Sequence, residues 1–138
     1  MTSRLNEIVF DAADPAALAE FWCEVLGYVV VDAEEQVVEI APVQVPDAEL
    51  LEAFRRGPIH PSLIFIEVPE SKSGKNRLHL DVNPIDCTQA EEVARLEALG
   101  ARRADVPRSD DQSWVVMLDP EGNEFCVLRS FAPDEFSV

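Results

Sequence analysis

The spacing of hydrophobic positions along the chain changes from that of a β-strand to that of a helix and back to that of strands. This succession occurs twice. Near the N-terminus the run 7–11 predicts a β-strand, after which Asp14 and Pro15 fit the N-cap and first position of a helix. Gly27 ends that helix. Its apolar stripe is Leu18, Phe21, Trp22, Val25 and Leu26. Three further strands are predicted at 28–31, 36–40 and 63–68.

The second half repeats this plan. The run 77–82 alternates as a strand, Thr88 can cap a helix, and Gly100 ends it. The stripe of this helix is Val93, Leu96 and Leu99. Strands are predicted at 102–106, 114–118 and 124–128, with a turn over 119–122. The pattern therefore predicts an α+β fold in which one βαβββ unit occurs twice, as a single domain over 1–138 with modules at about 1–70 and 75–131.

Two segments depart from the repeat. In 46–57, Leu50, Leu51 and Phe54 stand at helical spacing and predict a short extra helix. This insertion is interpreted as a lid, a dimer contact or a tolerated surface loop. The segment 71–75 is a polar linker with two lysines between the halves.

Charge limits the classes of partner. The 27 acidic and 11 basic residues give a formal charge of -16, whereas nucleic acids and anionic membranes are bound through Lys and Arg. We therefore expect no nucleic-acid or membrane partner. An acidic surface is compatible with a cationic small molecule.

Cysteine usage and the apolar runs indicate the compartment. Cys23, Cys87 and Cys126 are few, odd in number and without a CxxC pair, which is typical of reduced thiols. The apolar run 25–31 is too short to span a bilayer, and no secretory signal is visible. These features predict a cytoplasmic protein.

Three motifs carry a family resemblance. They are Asp14-Pro15 with Phe21-Trp22 and Leu26-Gly27, the run 75–81, and the ending Asp119-Pro120-Glu121-Gly122-Asn123-Glu124-Phe125. Together they resemble the vicinal oxygen chelate (glyoxalase/bleomycin-resistance/dioxygenase) superfamily, in particular its actinobacterial glyoxalase-like branch. The resemblance covers essentially the whole chain. It implies curved mixed sheets around a cavity, often in a homodimer, but it does not determine the function.

The resemblance also implies a metal site. The superfamily's metal enzymes hold a divalent ion with four inward side chains, one from the first and one from the last strand of each module. The corresponding positions in this sequence are Glu7, Glu67, His79 and Cys126. Their oxygen, nitrogen and sulfur atoms can all ligate a first-row metal such as Zn, Ni, Fe or Mn.

Strand alternation tests whether these side chains share a face. We place Ile64 and Ile66 under a helix, which directs Phe65 and Glu67 towards the cavity. By the same argument the cavity-facing positions of the second half are Arg77, His79, Asp81, Glu124 and Cys126. Trp114 is a further cavity-wall candidate because its indole can stack on a ligand. Cys126 can equally be a small core residue.

Three functions follow from these alternatives. The first is a metal-dependent lyase, isomerase or oxygenase for a small oxygenated molecule, with Glu7 or Glu67 as catalytic base. The second is a metal-free protein that sequesters a cationic or aromatic compound in a groove between two subunits of a homodimer, and so has no cofactor. The third is a structural or regulatory dimer without a ligand.

Overall fold

The computed structural model describes residues 2–135 and divides into two compact units, Met1–Ser71 and Lys72–Val138. The elements of the first unit are β1 (Glu7–Ala12), α1 (Pro15–Leu26), β2 (Val29–Glu34), β3 (Val37–Ala41), α2 (Asp47–Arg56) and β4 (Ser62–Glu67). Those of the second are β5 (Leu80–Val82), α3 (Gln89–Ala98), β6 (Arg102–Arg103), β7 (Val115–Leu118) and β8 (Glu124–Val127).

Each unit contains a four-stranded mixed sheet, ordered β1-β4-β3-β2 in the first and β5-β8-β7-β6 in the second. In both sheets the first and last strands of the unit are parallel neighbours, and the remaining pairs are antiparallel. The predicted α+β fold with a repeated βαβββ order is therefore confirmed. Among residues 2–135, no helix is long and apolar enough to cross a bilayer.

The two sheet-covering helices begin at side-chain caps. The Asp14 carboxylate accepts a hydrogen bond from the backbone N–H of Ala17, 3.0 Å away, and Gly27 ends α1 in the left-handed region with φ 67°. Thr88 and Glu91 form a reciprocal capping box at the start of α3. The cap residues Asp14 and Thr88 were predicted. The role of Glu91 in the capping box was not, although the Thr-x-x-Glu spacing is visible in the sequence.

Aromatic packing decides which face of the first sheet lies under α1. Phe10 of β1 stacks on Phe65 of β4 with ring centroids 5.2 Å apart, and it also contacts Trp22 of α1. Phe65 and Trp22 are almost fully buried. The side of β4 that carries Ile64 and Ile66 therefore faces away from α1, so the prediction that these isoleucines, rather than Phe65, lie on the helix-covered core side is wrong.

The core of the second unit follows the predicted alternation. Phe125 and Val127 of β8 are fully buried, as are Val93 and Leu96 on α3. Glu124 and Cys126 consequently belong to the opposite face of β8. Two strands are shorter than predicted, since β5 begins only at Leu80 and β6 pairs through only two residues.

The connections before the last strand differ between the units. Residues 119–123 form a tight turn in which the buried Asp119 carboxylate accepts hydrogen bonds from the backbone N–H groups of Glu121 and Asn123, each at 2.9 Å. In the first unit, residues 42–61 replace this turn and contain the predicted helix α2. No residue of α2 is buried.

Candidate functional site

Three potential metal ligands converge on the open face of the second sheet. Asp81 in β5 is paired in register with Cys126 in β8, so both side chains lie on the same face of the sheet. His79 precedes Asp81 by two positions, immediately before β5. This spacing brings the imidazole to the same face, and one ligand atom from each residue lies within 4.8 Å of the others.

The carboxylate of Asp81 contacts both the imidazole and the thiol. His79 Nε2 lies 3.2 Å from Asp81 Oδ1, and the Cys126 thiol also donates to Asp81. The side chains of His79 and Asp81 are half-exposed, at 51% and 47%, whereas Cys126 is buried. Of the three potential metal ligands, Cys126 is therefore buried, whereas solvent or a small molecule can reach His79 and Asp81.

The electrostatics of the cluster keep the thiol protonated in the absence of a metal. Burial raises the pKa of Cys126 to about 11, and the charge of Asp81 and its hydrogen bond act in the same direction. Lys75 opposes this effect and lowers the pKa. A bound cation would have to displace the thiol proton, as in other cysteine metal sites.

The donor set fits a divalent transition metal. Imidazole nitrogen, carboxylate oxygen and thiolate sulfur are the three ligand types that zinc accepts, and three protein ligands leave one position of a tetrahedral ion open. Because His79 and Asp81 are half-exposed, a small molecule could reach an ion that these residues would hold. The sequence predicted His79 and Cys126 as ligands, but it assigned Asp81 only to the cavity wall.

Glu124, a predicted cavity residue, instead fixes the segment that precedes β5. Its carboxylate lies 3.1 Å from Lys72 Nζ and accepts the backbone N–H of Asn76 at 3.0 Å. Burial acts to raise the pKa of Glu124, but the hydrogen bonds from Asn76, its own backbone N–H and Lys72 outweigh it and hold the pKa below its ordinary value. Glu124 is therefore committed to internal contacts.

Glu7 and Glu67 cannot ligate one ion together. In the parallel register of β1 and β4, Glu7 is opposite Ser62 and Glu67 is opposite Ala12, so they stand at opposite ends of the strand pair. They also lie on opposite faces, since Glu67 shares its side with Phe65. The shared cavity face predicted for them is wrong, because Glu67 had been placed on the cavity side together with Phe65, whereas Phe65 packs in the core under α1.

The two remaining cavity candidates are exposed. Trp114 precedes β7 by one residue and is 42% exposed. Arg77 lies in a bend outside β5, and within residues 2–135 it forms no ion pair with Asp81 or another carboxylate. Their role in a ligand site stays a prediction.

A cavity of about 710 Å³ in the first unit was not predicted. It lies between α2 and the face of the sheet opposite α1, and Glu39, Leu50 and Phe54 are among its lining residues. His60 also lines this cavity. The only sequence feature that marked this region was the amphipathic insertion 46–57.

Comparisons with known proteins agree with the topology. The sequence model of the glyoxalase-like domain matches residues 7–128. A glyoxalase/bleomycin resistance protein/dioxygenase family enzyme from Burkholderia phytofirmans PsJN is similar in structure, with a TM-score of 0.59, 19% identity, and coverage of 91% of this chain and 97% of that chain. A comparison with curated protein sequences gave no significant match.

Two fosfomycin resistance proteins are also similar in fold. FosX from Mesorhizobium loti has a TM-score of 0.61 at 11% identity and covers 93% of this chain and 92% of its own. A mutant of FosX from Listeria monocytogenes, in a complex with Mn(II) and 1S,2S-dihydroxypropylphosphonic acid, has a TM-score of 0.61 at 13% identity, with coverage of 94% and 92%. At these identities the likeness concerns the fold alone.

Proposed function

We propose, on the premise that the chain belongs to the glyoxalase-like domain family, that it binds a divalent metal ion and acts as a lyase or isomerase on a small oxygenated molecule. The observation that carries the proposal is the convergence of His79, Asp81 and Cys126 within 4.8 Å. The Mn(II) complex of a FosX protein with the same fold supports a divalent ion in this setting. The thiolate donor favours zinc here, because sulfur is a softer ligand than Mn(II) prefers.

The chemistry of the cluster favours a lyase or isomerase over an oxygenase. Iron-dependent oxygenases use two histidines and one carboxylate, and the cluster contains only one histidine. A bound divalent ion would act as a Lewis acid that polarises a substrate oxygen. Asp81, which bonds both other donors, orients the imidazole and the thiol. The catalytic roles predicted for Glu7 and Glu67 stay predictions.

Metal content tests the proposal. Elemental analysis of untagged protein should find about one equivalent of zinc per chain, as expected for a single site. His79→Ala, Asp81→Asn and Cys126→Ser should each lower zinc affinity by roughly 100-fold or more, because each removes a ligand. The matched controls are His60→Ala, Asp11→Asn and Cys23→Ser, which change the same residue types outside the cluster and should retain the metal.

The outcomes separate the alternatives. Zinc lost in all three cluster variants and kept in all three controls supports the site. Loss only with His79→Ala and Asp81→Asn would remove Cys126 from the ligand set. A metal-free protein after incubation with Zn, Ni, Fe and Mn would contradict the proposal and leave the metal-free sequestration of a cationic or aromatic compound. The homodimer, the cytoplasmic location and the actinobacterial branch stay predictions.

A further inference from the structure

The cavity of the first unit lies outside the proposed metal cluster. Its floor is the face of the sheet opposite α1, which includes Glu39 of β3 and Ser62 of β4, and one wall is α2. Its volume of about 710 Å³ falls within the range of cavities that hold drug-sized ligands. The whole cavity belongs to Met1–Ser71, so it can be considered without reference to the second unit.

The wall formed by α2 is apolar. Leu50 and Phe54 are one helical turn apart, both line the cavity and both are only partly buried. Val45 and Ile59, on either side of α2 in the sequence, continue this surface. In contrast, Leu51 is 50% exposed and is not part of the lining. An apolar wall with an aromatic ring is suited to the body of an organic ligand rather than to a hydrated ion.

The ionisable part of the lining consists of four carboxylates and one imidazole, that of His60. Asp32, Glu39, Asp47 and Glu49 line the cavity, whereas no lysine or arginine does. Within residues 2–135, none of these four carboxylates forms an ion pair or a side-chain hydrogen bond. On α2, Arg55 forms an ion pair with Glu52 of the same helix. His60 in the lining and Arg4, which donates a hydrogen bond to the Phe54 carbonyl at 3.1 Å, are the basic side chains described at the cavity, so its four carboxylates outnumber them.

A structural role explains only two of these charges. Asp47 and Glu49 are in the first turn of α2, where negative charge stabilises the helix N-terminus. Asp32 and Glu39 have no such role. They are directly opposite each other on β2 and β3, beside a register irregularity between Val30 and Asp32. Like charges in opposite positions of an antiparallel pair are destabilising, so a cation between them would relieve a cost that the fold otherwise carries.

We propose that this cavity is a binding site for an amphipathic organic cation. The ammonium, amidinium or comparable group lies against Asp32 and Glu39, and the apolar body packs on Leu50 and Phe54, whose ring can also contact the cation. The site needs no metal and is independent of the proposed catalysis.

The test is a binding titration in EDTA at about 0.15 M salt, where long-range surface charge is screened. Fluorescence anisotropy of rhodamine 6G, an aromatic cation, reports binding directly, and benzyltrimethylammonium serves as a smaller competitor. Fluorescein has the same xanthene frame with negative charge and is the ligand control. We expect rhodamine 6G to bind with a Kd below about 100 µM and fluorescein not to bind. His79→Ala protein should give the same result, which separates this site from the metal cluster.

Two matched pairs of variants localise the binding. The double variant Asp32→Asn/Glu39→Gln should weaken rhodamine 6G binding by about tenfold or more, because it removes the charges nearest the cation. The control Glu20→Gln/Asp105→Asn changes the net charge equally at exposed positions outside the cavity and should have little effect. Leu50→Ala should weaken binding about fivefold, whereas Leu51→Ala on the same helix should not.

Circular dichroism and Tm establish that each variant folds. If the Leu50→Ala variant does not form α2, the double variant Asp32→Asn/Glu39→Gln still tests the proposal, because Asn and Gln conserve the size of the side chains they replace. Equal weakening by the two charge pairs, equal binding of fluorescein, or no binding of either cation up to roughly 1 mM would overturn the proposal.

Discussion

The β3–β4 connection of the first unit and the β7–β8 connection of the second join corresponding strands of two sheets with the same order, yet they have different consequences. Residues 119–123 close the shorter connection around the buried carboxylate of Asp119. Residues 42–61 form the longer one, in which α2 covers part of the sheet and encloses a cavity. The comparison shows that the strand order determines where a site can form, and the connection determines whether a cavity forms there.

The two sheets also differ in the side chains at corresponding positions of their faces opposite the covering helices. Asp81 opposite Cys126 has a topological counterpart in Asp11 opposite Ile66, because Phe125 and Phe65 occupy the same buried place in the two units. The first unit thus has one carboxylate where the second has a carboxylate and a thiol. A repeated backbone does not repeat the cluster of potential ligands, since the last strand carries Cys126 in one unit and Ile66 at the corresponding position of the other.

The largest effect is expected from the buried phenylalanines that define this correspondence. Phe65→Ala and Phe125→Ala should each lower the free energy of unfolding by about 3–5 kcal/mol, since both rings are fully buried and leave a cavity. Urea denaturation followed by circular dichroism measures both losses. Trp114→Ala, at a 42% exposed aromatic residue, is the control and should cost much less. Losses that differ by more than about 2 kcal/mol would argue against equivalent places in the two cores.

An intermediate effect is expected at the tight turn. Asp119→Ala should lower stability by about 2–3 kcal/mol, because it leaves the partly buried N–H groups of Glu121 and Asn123 without their acceptor. The same type of change in the long connection, Gln44→Ala at an exposed position, should stay within about 0.5 kcal/mol. Thermal or urea unfolding measures the loss of stability in both variants. Equal losses would show that the two connections constrain the chain to the same degree.

The smallest effect is expected at the helix starts. Asp14→Ala and Thr88→Ala should each cost about 1 kcal/mol, since each removes an N-cap acceptor. The cap of α3 should also depend on pH. Hydrogen bonds from the backbone and side chain of Thr88 lower the pKa of Glu91, so the contribution of this carboxylate is present above its ordinary pKa and is lost as pH falls through the lowered value.

Urea denaturation across the acid range measures this dependence. The stability difference between the natural protein and Glu91→Gln should shrink from about pH 7 to about pH 3. A difference that stays constant over this range would show that the carboxylate form of Glu91 contributes nothing to the cap.

The sequence was informative where a local rule determines the structure. Asp14, Pro15 and Gly27 mark both ends of α1 because caps depend only on neighbouring residues. In β8 the buried face was also predictable, since Phe125 and Val127 alternate with the polar or small Glu124 and Cys126. The βαβββ order followed from such local patterns.

The faces of the first sheet could not be determined in this way. β4 is apolar on both sides, so alternation alone does not distinguish Phe65 from Ile64 and Ile66. Phe65 faces the core under α1 because Phe10 and Trp22, which are distant from it in sequence, provide aromatic partners there. The acidic lining of the cavity was missed for the same reason, since Asp32 and Glu39 meet only through the pairing of β2 and β3.

The long connection has a consequence for how this protein can change over evolution. Ala41 and Ser62, at its two ends, are held by the adjacent strands β3 and β4 whatever lies between them. Closing a loop about four times as long as 119–123, which is two doublings, costs only about 1.2 kcal/mol of entropy. Residues 42–61 can therefore be exchanged for another sequence at a small entropic cost to closing the connection between β3 and β4.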